Sequence, residues 1–359
     1  MKSTTFALTA LCLIAAAPAL AAEEAAVDHS KMDHSQVARD EKGRALYGMK
    51  HEMDPEIVKV LRARDPDYGK MTDAELEFAM SQMPPEYAWY ISPPNVKGPR
   101  GVLILMHGFR EPGDSIFKDS VQPIAKSFPT SMGVGMAMMM SQHIQVALDD
   151  LKAAGAKEVI VLPATSFETN ELYRQWAYIL GRSKEYGYSP VPKVKTDLPI
   201  TIVPPPGGDP WVAEVLIDYA KELSTNPKNE VVVIASHGPS TGDDNAKAMQ
   251  VLVNLAKIVK EDGGFSAVYG QTLQDDAPAA IRDANVKKLR AIVEGANKDG
   301  KQVIVVTNLI GTRTIQSKLR KDLEGLEYKF NAKGLVEHDN FFRWIETGIQ
   351  DHIERKAAL

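Results

Sequence analysis

The sequence contains little cysteine, since Cys12 is the only one among its 359 residues. Cys12 lies in the apolar N-terminal segment, where its neighbours do not form a lipoprotein signal. A chain without that segment has no disulfide, no cysteine ligand and no cysteine nucleophile. An excess of cations is also lacking, because 42 Lys and Arg face 47 Asp and Glu. This balance excludes a broad basic surface for nucleic acid, and we expect no nucleotide cofactor.

The N-terminal segment has the features of a secretory signal peptide. Lys2 precedes an apolar core over residues 6–17, and residues 19–21 (Ala-Leu-Ala) form a small-x-small cleavage site. The apolar core is short for a membrane span. We therefore expect cleavage after Ala21, export to a bacterial periplasm and no membrane span in the mature chain. The sequence does not indicate an oligomeric state.

Residues 22–98 begin with a polar arm that contains histidine and methionine. The stretch "DHSKMDHS" holds His29, Met32 and His34, and "MKHEMD" adds a similar set over residues 49–53. Imidazole and thioether together are a ligand set that suits Cu(I), and the arm resembles the His/Met segments of periplasmic copper-resistance proteins. The alternative is a solvated polar leader that binds nothing.

The rest of the chain alternates apolar strands with amphipathic helices. Two short helices are predicted over 54–65 and 72–83, and the proline-rich residues 84–99 favour an extended connector. From Gly101 onwards, strands and helices alternate to the C-terminus, which is typical of parallel sheets covered on both faces. We expect an α/β protein with two lobes, residues 99–224 and 225–359, and a cleft between them.

The two lobes carry the same strand-end pattern. "RGVLILMHGFREPGD" starts at Arg100 and "NEVVVIASHGPSTGD" at Asn229, so that His237 follows His107 by 130 residues. The ends of the lobes also correspond, with an offset of 129 residues between Asp209 and His338. Two offsets that agree within one residue indicate tandem copies of one α/β unit.

Each of the two histidines stands where a strand ends. Ligands of open α/β sheets bind beyond the carboxyl ends of the strands, and the glycine after each histidine permits a tight turn. We therefore expect His107 and His237 to face one cleft from opposite lobes. The alternative is that each imidazole only hydrogen-bonds its own loop.

The first lobe resembles a known family. "GVLILMHGFREPGD", followed by "QHIQVALDDLKAAGAKEVIVLPATSF", is similar to the class II tetrapyrrole chelatases, namely the sirohydrochlorin cobaltochelatases and ferrochelatases. The resemblance covers about residues 100–349, and the second lobe is a degenerate copy. It implies a lyase of cobalamin or sirohaem synthesis that inserts Co²⁺ or Fe²⁺ into a sirohydrochlorin-type tetrapyrrole.

The resemblance also implies site residues. A chelatase needs a neutral imidazole as metal ligand or proton acceptor, and His107 matches that position, with His237 as its copy. A further family histidine falls near Glu171, which is therefore the implied partner in catalysis and metal binding. The same position in the second lobe, within "TNLIGTRTI", offers neither histidine nor carboxylate. Such a set suits Co²⁺, Fe²⁺, Ni²⁺ or Zn²⁺ without selecting one.

Two further residues are candidates for substrate binding. Arg110 follows the His-Gly pair and is expected to bind a substrate carboxylate, the alternative being a solvated loop charge. His143 begins a helix near the same strand ends, where it either lines the cleft or only packs. The methionines of "SMGVGMAMMM" are predicted in a strand, as core filling or as packing against a flat macrocycle.

Two other functions compete with metal insertion. "GPSTG" around Ser240, with His338 late in the chain, fits an α/β-hydrolase, although His237 holds the position where a nucleophile would follow the strand. A non-catalytic periplasmic carrier of a metal or a metallated tetrapyrrole fits the family's missing histidine and the expected compartment.

Overall fold

The computed structural model describes residues 37–47, 54–64, 66–83, 85–311 and 314–357. All of them belong to one compact unit, Asp33–Leu359. The predicted signal peptide and both His/Met stretches of the arm lie outside the described residues. No helix in the described ranges is long and apolar enough to cross a membrane.

The first sheet has six strands, in the order β1-β2-β4-β3-β5-β6. They are β1 Arg44–Tyr47, β2 Glu86–Tyr90, β3 Arg100–Met106, β4 Thr130–Val134, β5 Glu158–Pro163 and β6 Ile200–Ile202. Strands β3 to β6 pair in parallel, whereas β1 and β2 extend the edge beyond β4 as antiparallel strands. Except for Arg100, every residue of the central strand β3 is buried, as expected of a strand covered on both faces.

Eight helices accompany this sheet in the described chain. They are α1 Pro55–Arg64, α2 Pro66–Lys70, α3 Asp73–Ser81, α4 Gly113–Ser120, α5 Gln122–Ser127, α6 Gln142–Ala153, α7 Glu171–Ile179 and α8 Pro210–Lys221. The predicted helices over 54–65 and 72–83 correspond to α1 and α3. Thr72 and Glu75 form a capping box at the start of α3, which explains why the sequence located that helix well.

The second sheet has four parallel strands, in the order β10-β9-β7-β8. Its elements are β7 Glu230–Ser236, α9 Gly242–Gly263, β8 Ala267–Thr272, α10 Ala279–Lys298, β9 Gln302–Thr307, α11 Thr314–Asp322, β10 Lys329–Phe330 and α12 Asp339–Ala357. The order β8-β7-β9-β10 repeats the order β4-β3-β5-β6 of the first sheet. The predicted α/β class with two lobes of parallel strands is confirmed.

The last helix of each lobe packs against the other lobe. Helix α8 contacts β9 of the second sheet, and α12 contacts β5 of the first. The Tyr219 hydroxyl donates to the Gly334 carbonyl at 2.9 Å, and the Trp344 indole donates to the Pro204 carbonyl at 3.1 Å. These crossed contacts join the two lobes and fix the strand ends that face each other.

Two segments differ from the sequence-based expectation. The connector over 84–99 contains β2, which pairs with β4 despite the surrounding prolines. The strand predicted over "GVGMAMMM" ends at Val134, and residues 135–140 form a loop, here named the methionine loop. Ala137 adopts a φ of 53° there, and its amide donates to the Glu86 carboxylate at 2.7 Å. A carboxylate from β2 thus terminates β4, a contact that no local sequence pattern reveals.

Candidate functional site

A cleft of about 550 Å³ lies beyond the carboxyl ends of the strands, and residues from both lobes line it. Its apolar lining comes from Phe109, Met136 and Leu172 of the first lobe and from Leu309, Ile310 and Ile315 of the second. Its polar lining includes His107, Arg110, Asn170, Tyr188, His237 and Asp276. The two predicted histidines therefore share one cleft, as the repeated pattern indicated.

His107 stands at the end of β3, in a turn that Asp114 closes. Gly108, with a φ of 91°, turns the chain, and the Asp114 carboxylate accepts the Phe109 amide at 2.5 Å. The ring of His107 is exposed to the cleft and lies 5.2 Å from the Phe109 ring, centroid to centroid. Although the ring opens onto the cleft, the protein around it reduces its hydration and so lowers the pKa of His107, and His237 lowers it further. The imidazole is therefore neutral at neutral pH and available as a ligand or proton acceptor.

His237 stands at the end of β7 in a matching turn, where Gly238 has a φ of 76°. Its Nδ1 lies 2.9 Å from the Gly238 carbonyl oxygen, and its Nε2 lies 3.4 Å from a carboxylate oxygen of Asp276. An Nδ1–H that donates to the carbonyl leaves a lone pair on Nε2, which is the form that binds metals. In this tautomer the metal-binding atom Nε2 is the one that lies next to the Asp276 carboxylate.

Two consecutive acids follow β8 beside this imidazole. His237, Asp275 and Asp276 each place one ligand atom within 4.8 Å of the others. Burial raises the pKa of Asp275, but hydrogen bonds from Lys318 and Arg282 outweigh it and hold the pKa below its usual value. Asp275 is only 3% exposed, whereas Asp276 is 65% exposed. Asp276 is therefore the carboxylate available to a cation in the cleft.

The structure gives Glu171 a different position from the one that the resemblance implies. Glu171 begins α7, and its carboxylate accepts the Ser240 amide of the second lobe at 2.9 Å. It is not among the residues that line the cleft. The carboxylate connects the two lobes, and its predicted role in metal binding and catalysis stays a prediction.

The two candidates for substrate binding, Arg110 and His143, lie in different environments. Arg110 lines the cleft, exposed and with a φ of 57°, and its guanidinium donates to the Gln82 carbonyl. His143 is fully buried below the cleft wall, with its Nδ1 3.3 Å from a Glu86 carboxylate oxygen. Burial lowers the pKa of His143 to about 3. His143 does not line the cleft, so the packing alternative describes its place.

Sequence reasoning missed Asp276 and Tyr188, and it considered Met136 only as one of several methionines of a predicted strand. One feature of the sequence could have indicated Asp276, namely that it is an acid just after a predicted strand. Met136 reaches the cleft because the methionine loop leaves the sheet, and Tyr188 comes from the segment between α7 and β6. Burial, Asp276 and Glu171 raise the pKa of Tyr188 well above its usual value, so its phenol keeps the proton and acts as a neutral donor.

A buried glutamine fixes the wall that contains Met136 and Tyr188. Gln175 of α7 is fully buried, and its amide group donates to the carbonyls of Ala137 and Ser189 at 2.9 and 3.0 Å. Its carbonyl oxygen accepts the Tyr188 amide at 2.9 Å and the Ser189 amide at 3.3 Å. One side chain therefore connects the methionine loop to the Tyr188 segment.

The residues proposed for a hydrolase do not form a catalytic pair. His338 lies 3.2 Å from the Asp218 carboxylate, and the Ser240 amide is bound to Glu171. Neither Ser240 nor His338 is among the described residues that line the cleft.

Comparison with solved structures shows which known fold this architecture resembles. SirB from Bacillus subtilis, solved with Fe³⁺, aligns with a TM-score of 0.53 and 14% identity over 71% of this chain and 95% of its own. The chain has a chelatase-like fold. This fold confirms the predicted resemblance to class II chelatases at the level of architecture.

Two further structures align with the chelatase-like chain less closely. CbiX, the terminal enzyme for biosynthesis of sirohaem in denitrifying bacteria, has a TM-score of 0.43 and 15% identity over 70% of this chain and 99% of its own. DR2241 from Deinococcus radiodurans, a multi-domain protein with structural similarity to chelatases, has a TM-score of 0.42 and 16% identity, over 70% of this chain and 54% of its own. No protein-family model and no curated protein matches the sequence.

Proposed function

We propose that this protein inserts a divalent metal ion into a tetrapyrrole bound in the cleft. The observation that carries the proposal is the shared cleft of His107 and His237, with Asp276 beside the second imidazole. The apolar side chains that both lobes contribute to the cleft suit a flat, largely apolar ring. The chelatase-like fold supports the same reaction class.

Each polar group of the cleft has its own role in the proposed reaction. His237 Nε2 and the Asp276 carboxylate hold the incoming metal, which is a substrate. His107, kept neutral by burial, accepts one pyrrole N–H proton. The second proton passes to Asp276 as the metal leaves that carboxylate for the ring nitrogens. One divalent ion thus replaces two protons, and the charge of the ring is unchanged.

Imidazole and carboxylate ligands suit several metals. Co²⁺ and Fe²⁺ are the metals that the sequence resemblance favours, and Ni²⁺ and Zn²⁺ fit the same donors. The resemblance favours a sirohydrochlorin-type ring. We further propose that the chain is exported to the periplasm and that His29, Met32 and His34 of the arm bind copper. Cell fractionation and a copper titration of a variant without these three side chains test the two statements.

The central test follows turnover by absorbance. The purified protein is mixed anaerobically with Co²⁺ and, in separate runs, with sirohydrochlorin or protoporphyrin. The proposal predicts repeated turnover with one of these rings, lost in His107→Ala and kept in His338→Ala, whose imidazole lies outside the cleft. Stoichiometric binding without turnover supports the alternative, a non-catalytic carrier. Absence of binding by either ring contradicts the proposed function.

A further inference from the structure

We propose that the ring that enters this cleft carries few carboxylates, as protoporphyrin does, and is not a ring with many carboxylates such as sirohydrochlorin. The inference rests on the proposed function and narrows its substrate class. It follows from the charges that the described residues place along the cleft and from the apolar character of both walls.

The described lining of the cleft has very little positive charge. Among its described lining residues, Arg110 is the one lysine or arginine, and its guanidinium already donates to the Gln82 carbonyl. Asp276 contributes one negative charge to the same lining. The formal charges of Arg110 and Asp276 cancel. A ring with many carboxylates would find a single cation among the described lining residues.

Three described cations near the lining residues of the cleft already form ion pairs. Lys318 and Arg282 bind Asp275, with nitrogen–oxygen distances of 2.5 and 2.7 Å. Arg174 binds Asp244 across the lobes at 2.6 Å. A substrate carboxylate would have to break one of these ion pairs to gain a partner. It would then leave a largely buried protein carboxylate unpaired, which is costly.

The helix end at the cleft does not supply the missing positive charge. Asn170 caps α7 by accepting the Leu172 amide, and both residues line the cleft. Glu171 occupies the first turn, where its negative charge offsets the positive end of the helix dipole. Tyr188 adds a neutral hydroxyl donor. The polar lining therefore suits neutral groups and a metal cation better than a cluster of anions.

The walls favour the same conclusion. Phe109, Met136 and Leu172 of the first lobe and Leu309 and Ile310 of the second all line the cleft. Methyl and vinyl groups on a ring gain free energy when such walls remove them from water. Carboxylates placed between the walls would lose water without a cationic partner. A ring with its carboxylates on one edge keeps them in solvent or on Arg110.

A series of porphyrins tests the charge preference. Full-length protein is titrated with protoporphyrin, coproporphyrin and uroporphyrin, which carry two, four and eight carboxylates, and ring fluorescence reports binding. We expect affinity to fall along this series, by about tenfold or more between the first and the last at physiological salt. Equal or tighter binding of uroporphyrin would overturn the inference.

Variants show whether charge in the cleft sets the preference. Ile315→Lys adds a cation to the wall and Asp276→Asn removes an anion, so each should improve uroporphyrin binding relative to protoporphyrin. Phe78→Ala, at an apolar side chain that is 67% exposed on α3 and outside the cleft, should change nothing. Protoporphyrin binding that depends on Phe78 and ignores both cleft variants is surface adsorption and contradicts the inference.

Metal insertion separates this inference from the proposed function. Zn²⁺ is added to each porphyrin complex, and the fluorescence of the zinc ring is followed. Insertion into protoporphyrin in preference to uroporphyrin supports both statements. Insertion into uroporphyrin in preference to the others leaves the proposed function in place and overturns the inference. Failure of the three porphyrins to bind, with binding of sirohydrochlorin, overturns the inference alone, and failure of all four rings to bind contradicts the proposed function itself.

Discussion

The Nε2 atom of His237 lies 3.4 Å from the carboxylate of Asp276, while its Nδ1 lies 2.9 Å from the Gly238 carbonyl oxygen. An imidazole that donates from Nδ1 directs a lone pair from Nε2 towards an anion. Two electron-rich groups at this distance are stabilised by a proton or a metal ion between them. This pair is the strongest sign that the cleft binds a cation.

The first prediction concerns metal affinity. His237→Ala and Asp276→Asn should each weaken Co²⁺ binding by about tenfold or more, because each removes one ligand from a small set. Calorimetric titration of the purified protein measures the change. Asp243→Asn, at an exposed acid in the first turn of α9, is the matched control and should bind as the wild type does. Unchanged affinity in both cleft variants would contradict the assignment.

The second prediction separates two roles for Glu171. If the Glu171 carboxylate connects the lobes, Glu171→Ala should lower the free energy of unfolding by about 1–2 kcal/mol, because the Ser240 amide loses its acceptor. Co²⁺ affinity should not change. Urea unfolding and metal titration of the same variant give both quantities. A normal stability combined with weakened metal binding would instead support the ligand role that the resemblance implies.

The third prediction concerns the Gln175 connection between the methionine loop and the Tyr188 segment. Gln175→Ala leaves buried backbone groups of Ala137, Tyr188 and Ser189 without partners, so we expect a loss of about 2–3 kcal/mol. Porphyrin affinity should fall as well, because this wall of the cleft loses its support. Asn170→Ala loses only a helix cap and should cost less, about 1 kcal/mol. Porphyrin affinity that is unchanged in Gln175→Ala would show that the wall does not depend on this side chain.

The fourth prediction is a pH dependence of stability from Glu86 and His143. Burial raises the pKa of Glu86 to about 8 and lowers the pKa of His143 to about 3. Between pH 3 and 6.5 the unfolded state binds the extra proton at His143, so stability rises with pH. Between the ordinary carboxyl pKa and pH 8 the folded state keeps the proton on Glu86, so stability falls as pH rises.

Below pH 6.5 the effects of His143 and Glu86 on the free energy of unfolding oppose each other. Between pH 6.5 and 8, Glu86 is the one of the two that still lowers stability as pH rises. Its slope is at most about 1.4 kcal/mol per pH unit. Glu86→Gln keeps an oxygen for the Ala137 amide and has no proton to lose, so this part of the slope should disappear. Urea unfolding at several pH values measures it. Equal slopes in the variant and the wild type would contradict the buried, protonated carboxyl.

Much of the fold follows from local sequence patterns. The apolar runs of β3, β5, β7 and β9 are long enough to be recognised as buried strands, and the helices between them show clear amphipathic spacing. Antiparallel β2 was missed because its neighbouring prolines favour a connector. Its pairing depends on β4, which lies about 40 residues further along the chain.

The site was predictable in part, for a similar reason. Repetition of a strand-end histidine indicated that His107 and His237 share one cleft. Asp276 became evident only when the sheet placed the end of β8 next to the end of β7. Glu171 was placed by counting along the chain, but its direction depends on the Ser240 loop of the other lobe, which no spacing in the first lobe specifies.

Anomalous diffraction from crystals soaked in Co²⁺ tests the central claim most directly. The account predicts a cobalt peak in the cleft, about 2.0–2.2 Å from His237 Nε2 and from an Asp276 carboxylate oxygen, on the side that faces His107. A cobalt peak bound outside the cleft, or a cleft that stays empty while cobalt binds elsewhere on the chain, would contradict it.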